Sequence, residues 1–193
     1  MKVNHQFLEK EFFIPNWEVN YLFVGTFNPI GGHPVNYFYG RESNYLWKVL
    51  SQIFDDNLSP FSCDNLDVFF DKLKYHKIGC VDMIKSVEFD EEFVDVKDIV
   101  GNGYSDSKII NKKVIRKYNT ETIINFMENN PKAKIYSTWG SGTKFAEWNN
   151  ELDKFPNNKI IKLVSPSRAA RVPKGSSKFH FILENWKENI NIL

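Results

Sequence analysis

Tyr21-Leu22-Phe23-Val24-Gly25-Thr26-Phe27-Asn28-Pro29-Ile30-Gly31-Gly32 begins as an unbroken apolar run, stops at a glycine and continues as an Asn/Pro/Gly loop. A short apolar run closed in this way reads as a buried strand that empties into a turn. The pattern recurs at Lys134-Ile135-Tyr136-Ser137-Thr138, which enters Trp139-Gly140-Ser141-Gly142, and at Ile160-Ile161-Lys162-Leu163-Val164, which enters Ser165-Pro166-Ser167. Ile78 to Met83 is a fourth, weaker run. Between these runs the apolar residues recur at helical spacing over Tyr45 to Phe54, Asn65 to Tyr75, Thr120 to Glu128 and Thr143 to Phe155, with a last amphipathic stretch from Ser177 to Asn189. Ser43, Asn65 and Asn119 stand where N-caps belong, and Pro131 marks a stop.

Strands alternating with helices of this length predict an α/β fold: a three-layer α/β/α sandwich around a central, mostly parallel four-stranded sheet, with residues 1–193 as one domain. Ligands of such sheets sit outside the carboxyl ends of the strands. The turns at Gly25 to Gly32, Asp82, Trp139 to Gly142 and Ser165 to Arg168 would all emerge there. Glu88 to Asn102 is acidic and irregular and reads as an exposed loop or lid.

Length and composition narrow the function classes. A chain of 193 residues can bury roughly two-thirds of its unfolded surface, so it holds a core without staples. With 42% hydrophobic and 25% charged residues it has the balance of a soluble protein, and no window nears the roughly 18 apolar residues of a membrane span. The charged N-terminal stretch is unlike a secretory signal, so the cytoplasm is the expected compartment. Cys63 and Cys80 form no C-x-x-C pair and read as buried free thiols. His5, His33, His76 and His180 have no ligand spacing, so neither metal nor cofactor is expected. Net charge is only +1, but it is segregated: Lys159, Lys162, Arg168, Arg171, Lys174 and Lys178 form a basic segment with no acidic residue, while Asp82 to Asp98 is strongly acidic.

The loops carry groups suited to a flat, polar ligand. Gly25-Thr26-Phe27-Asn28-Pro29 brings backbone amides close and offers Asn28, which both donates and accepts; Asn-Pro is also an ordinary turn dipeptide. Tyr37-Phe38-Tyr39-Gly40-Arg41-Glu42-Ser43-Asn44-Tyr45-Leu46-Trp47 supplies aromatic faces of the kind that stack on bases, worth roughly 1–3 kcal/mol per base. About half of these rings belong to the core, Trp47 foremost.

These residues resemble the opening motifs of the uracil-DNA glycosylase superfamily, closest to its mismatch-specific and hypoxanthine-type branches. Val24-Gly25-Thr26-Phe27-Asn28-Pro29 is followed by Tyr39-x-x-x-x-Asn44-x-x-Trp47, then by Gly79-Cys80-Val81-Asp82-Met83-Ile84-Lys85-Ser86, by Tyr104-Ser105-Asp106-Ser107-Lys108-Ile109, by Trp139-Gly140 and by the late loop Leu163-Val164-Ser165-Pro166-Ser167. The resemblance spans about residues 21 to 172. It implies a monomeric, metal-free glycosylase that flips a damaged, mismatched or modified base out of double- or single-stranded DNA and cuts its bond to the sugar. Carried onto this chain, it makes Asn28 or Asn44 the residue that positions water and Asp82 a polarising group or base. Gly25, Thr26, Phe27, Tyr39, Thr138 and Trp139 would surround the base. Ser165, Pro166 and Ser167 would pinch phosphates, with Arg168 and Arg171 on the strand.

The chain departs from the family in two places. Ser165 stands where the late loop carries His or Asn, and Thr138 or Trp139 stands where an Asn reads a pyrimidine edge. The second departure shifts the expectation from uracil toward a deaminated purine or another modified base. Two other readings stay open. One is a module of the same fold that binds nucleic acid or a nucleotide without catalysis. The other is an α/β hydrolase using Ser141 or Ser167, although the full G-x-S-x-G elbow is missing.

Overall fold

The computed structural model describes residues 1–61, 65–101, 104–139, 145–156 and 159–192. Its centre is the predicted parallel sheet. Strand β2 (Tyr21–Gly25) is buried along its whole length and lies between β3 (Ile78–Asp82) and β6 (Lys134–Ser137), with β7 (Ile160–Lys162) on the outer side of β6. All three pairings are parallel, and the register sets Tyr21 beside Ile78 and Lys134, and Gly25 beside Asp82.

Alternation of side chains across the sheet produces the three layers. Tyr21, Phe23, Ile78, Cys80 and Tyr136 pack on one face with apolar residues of α1 (Leu46–Ile53), α2 (Leu66–Tyr75) and α7 (Lys178–Asn189). Leu22, Val24, Val81 and Ile135 pack on the other with Ile123 and Met127 of α5 (Thr120–Glu128) and Trp148 and Leu152 of α6 (Ala146–Leu152). The most nearly parallel ring stack among the described residues crosses the first interface: Phe23 and Trp186 lie 5.5 Å apart and only 6° from parallel. Side chains of this size each contribute about 1.5–3 kcal/mol by leaving water.

The sequence reading omitted a second sheet. Strands β1 (Lys2–Asn4), β4 (Ile84–Phe89) and β5 (Val114–Tyr118) pair antiparallel in the order β1-β4-β5. Only Met83 separates β3 from β4, so the chain leaves the parallel sheet and enters the antiparallel one at Asp82. The Met83 and Ile84 amides donate to the carbonyls of Gly25 and Thr26 at 3.0 Å each, which ties this junction to the end of β2.

Three other expectations change. Ser43 is not the cap of α1; the helix starts after Tyr45, and the Asn44 side chain accepts from the Leu46 amide at 2.9 Å. The expected loop from Glu88 to Asn102 is, over its described residues 88–101, anchored rather than free: it finishes β4, carries α3 (Val96–Ile99) capped by Asp95, and buries Val94 and Ile99 in a cluster with Phe27 and Tyr104. The helix expected from Thr143 to Phe155 runs from Ala146 to Leu152, and Gly140, Ser141, Gly142 and Cys63 lie outside the described residues. Cys80 is a buried free thiol whose pKa burial pushes well up.

Candidate active site

The chain turns from β2 toward β3 on one side and reaches β6 on the other, so the loops after β2 and β6 part at the carboxyl edge of the sheet. A cleft of about 930 Å³ opens there, near the upper end of the roughly 300–1,000 Å³ usual for ligand sites. It gathers Asn28, Asn44 and Asp82; Gly25, Thr26, Phe27, Tyr39, Thr138 and Trp139; and Ser165, Pro166, Ser167, Arg168 and Arg171. The described parts of the four turns expected at the carboxyl edge, together with the loop that carries Asn44, therefore converge on one cavity.

Gly25 makes the floor possible. Because it is in register with Asp82, a Cβ there would lie 2.3 Å from Asp82 Oδ1 and 2.6 Å from the Tyr39 hydroxyl. Asp82 is 2% exposed and receives two hydrogen bonds on Oδ2, one from Asn28 Nδ2 at 2.8 Å and one from His5 Nε2, also at 2.8 Å. The donor identity fixes the Asn28 amide: nitrogen on the carboxylate, oxygen outward. Asn44 has the opposite orientation, since its oxygen already accepts from the Leu46 amide and only its nitrogen remains to donate. The two asparagines thus offer the cleft different chemistry, an acceptor from Asn28 and a donor from Asn44.

A second chain of bonds lies beside the first. The Thr138 hydroxyl donates to the Val24 carbonyl at 3.0 Å, which leaves the Tyr39 hydroxyl to donate to Thr138 Oγ1 at 2.8 Å. Tyr39 holds this position with a left-handed backbone, φ 54°, an uncommon conformation for an aromatic residue. Burial, followed by the nearby Asp82 charge, lifts its hydroxyl pKa well above the phenol value, so it remains a donor. Trp139 is half-buried and meets Trp148 and Phe145 edge-on at 4.8 and 5.6 Å. Phe27 is only 2% exposed and packs against His5 and Tyr104, so it is a wall of the cleft rather than a free stacking face.

Sequence reasoning gave no role to Asp106, at the start of α4 (Asp106–Ile109). Its Oδ1 accepts from the Thr26 hydroxyl and from the Tyr104 hydroxyl, the latter at 3.1 Å. Burial raises its pKa most; the Asp82 charge adds to this, and the Thr26 and Tyr104 bonds and Arg41 oppose it. His5 was also missed, and no local signal marks it, because it lies 77 residues from its partner Asp82. Two carboxylates therefore occupy the cleft lining, while Arg168 and Arg171 are exposed at its edge.

The late loop is irregular but tied down. Pro166 O accepts from the Tyr45 amide at 2.8 Å, Val164 O accepts from Trp186 Nε1 at 2.8 Å, and the Ser165 and Ser167 hydroxyls accept from the amides of Ser167 and Ala169. Among the described residues no three His, Cys, Asp or Glu side chains gather as metal ligands, and no helix is long and apolar enough to cross a membrane.

Layer order, parallel sheet and edge cleft define an α/β/α protein with the uracil-DNA-glycosylase-like fold. One solved structure that shares it is the solution NMR structure of a "putative Uracil DNA glycosylase" from Methanosarcina acetivorans. It matches with a TM-score of 0.51 over 89% of this chain and 88% of that one, at 19% sequence identity. No protein-family model matches the chain, and no curated protein matches it.

Proposed function

We propose that this chain is a monofunctional DNA glycosylase that hydrolyses the bond between sugar and base in a flipped-out damaged, mismatched or modified nucleotide and leaves an abasic site. The observation that carries the reading is the Asn28 amide, held by its nitrogen on Asp82 with its oxygen turned outward. A water that donates to this oxygen keeps a lone pair directed at the sugar carbon. The Asp82 carboxylate beneath it is the fixed charge that an oxocarbenium-like transition state calls for. Asn44 Nδ2 is a donor available to the departing base or to a backbone oxygen. Asn28 is therefore the residue that orients water, and Asn44 has the supporting role.

The lining also favours one kind of base. The protons of Thr138 and Tyr39 are committed within the protein, so what faces the ligand there, with Asp82 Oδ1 and the Asp106 carboxyl, is rich in acceptors. A base that presents ring N–H donors, as deaminated purines do, suits that wall better than one presenting a ring acceptor. The exposed Arg168 and Arg171 would contact strand phosphates.

The test is a panel of single- and double-stranded oligonucleotides, each carrying one deoxyuridine, deoxyinosine, deoxyxanthosine or modified cytosine, scored for alkali-labile breaks. We expect cleavage at a lactam base, with deoxyinosine or deoxyxanthosine ahead of modified cytosine. Salt-sensitive binding with no break at any of them would favour the noncatalytic reading that Ser165 motivates.

A further inference from the structure

We propose that His5, the residue directly after β1, is a positioning residue that holds Asp82 and through it Asn28. This inference rests on the glycosylase reading and names the support of its water-orienting group.

The N-terminal segment is built around that contact. The His5 amide donates to Lys85 O at 2.9 Å, the Gln6 amide to Asn28 O at 2.8 Å, and the Ile30 amide to Asn4 O at 3.0 Å. His5 itself bridges to Pro29. Residues 4–6 thus clamp the Asn28 loop and the stretch after Asp82 at once.

The imidazole is fully buried among the rings of Phe7, Phe13, Phe27 and Phe38, with centroids 5.0–5.8 Å away. Its two nitrogens have different partners. Nδ1 lies 3.0 Å from the Phe7 amide and must accept from it; Nε2 therefore carries the proton and donates it to Asp82 Oδ2. The bond to Asp82 therefore runs from an imidazole N–H to a carboxyl oxygen that also accepts from Asn28.

Asp82 Oδ2 receives His5 and Asn28 together. Without His5 the carboxylate is free to rotate, and rotation turns the Asn28 amide with it. A buried histidine placed only for packing needs neither the tautomer nor the shared oxygen.

Two substitutions separate support from packing. His5→Asn keeps an acceptor near the Nδ1 position for the Phe7 amide but falls short of Asp82. His5→Gln carries an amide nitrogen near the Nε2 position and still reaches Asp82. On the best cleaved oligonucleotide, we expect His5→Asn to lower kcat about 10- to 100-fold, the range seen when orienting partners are removed at metal centres. KM should stay within about two-fold, because ground-state binding is untouched. His5→Gln should stay within about three-fold of the unmodified protein in kcat.

Long-range proton–nitrogen spectra of the unmodified protein provide a readout independent of turnover, in which we expect protonated Nε2 and a lone pair on Nδ1. Equal kcat for His5→Asn and the unmodified protein, equal losses in both variants, or a proton on Nδ1 would each overturn the inference. If neither variant folds, the tautomer spectrum decides it. An unmodified protein that cleaves nothing overturns the glycosylase reading itself, whereas an active protein indifferent to His5 overturns only this step.

Discussion

Asp106 carries a cost that the fold tolerates. Burial raises its pKa above the ordinary carboxylate value, so between that value and the raised one the folded chain binds more protons than the unfolded chain. Stability therefore falls as pH rises through that window and stays at the lower level at neutral pH. Asp106→Asn removes the charge yet keeps an oxygen for Thr26 and Tyr104 to donate to. Calorimetry should show a higher Tm for this variant at pH 7, at about 2–4 °C per kcal/mol relieved, with the gain shrinking as pH falls toward the ordinary carboxylate value. A lower Tm at pH 7 would refute the assignment. Gly25→Ala tests the floor from the other side. Its methyl would meet Asp82 Oδ1 and the Tyr39 hydroxyl, so we expect a loss of about 1–3 kcal/mol in denaturant unfolding, together with loss of base excision. Unchanged activity would mean that those two side chains are not where the chemistry happens.

At the scale of elements, the two sheets meet at Asp82, and α6 braces that junction. Arg116 of β5 makes a two-pronged bond to Glu147 of α6 at 2.8 and 2.5 Å and lies over the Phe145 ring, which in turn supports Trp139. The Arg116 side chain is 8% exposed and that of Glu147 38%, so water screens part of the pair. Arg116→Ala should cost about 1–3 kcal/mol, less than a fully buried pair would, and the loss should appear in denaturant unfolding. A loss near zero would show that α6 stands without it. This region also marks where the sequence stopped being legible. β2, β6 and β7 announced themselves, and β3 more weakly, because strands of a sheet covered on both faces form apolar runs. β4 and β5 did not, because charged residues such as Lys85, Glu88, Arg116 and Lys117 interrupt their apolar positions and each owes its existence to pairing with the other. His5 was illegible for the same reason at longer range: its meaning depends on Asp82, which only the fold brings near. The cleft turns could be read because each lies at the end of an apolar run. The opposite orientations of Asn28 and Asn44 became visible only with their hydrogen-bond partners.

Over the whole molecule, net charge is close to neutral, so on the proposed function attraction to DNA would come from where the cations sit. Arg168 and Arg171 are exposed on the late loop beside the cleft, and both carboxylates lie in its lining. Replacing both arginines by alanine should weaken oligonucleotide binding and reduce the slope of log affinity against log salt by about 1.8 for duplex, or about 1.4 for single strands, if each pairs with one phosphate. An unchanged slope would move the strand path elsewhere. The central claim is that Asn28 orients water against a sugar–base bond, and chromatography of the released base measures this most directly. Incubated with oligonucleotides bearing single altered bases, the unmodified chain should liberate free base and an abasic site in equal amounts. Asn28→Ala should do so about 10²- to 10⁴-fold more slowly while still binding the strand. Release of base at an undiminished rate by Asn28→Ala, or no release from any substrate by the unmodified chain, would contradict the account.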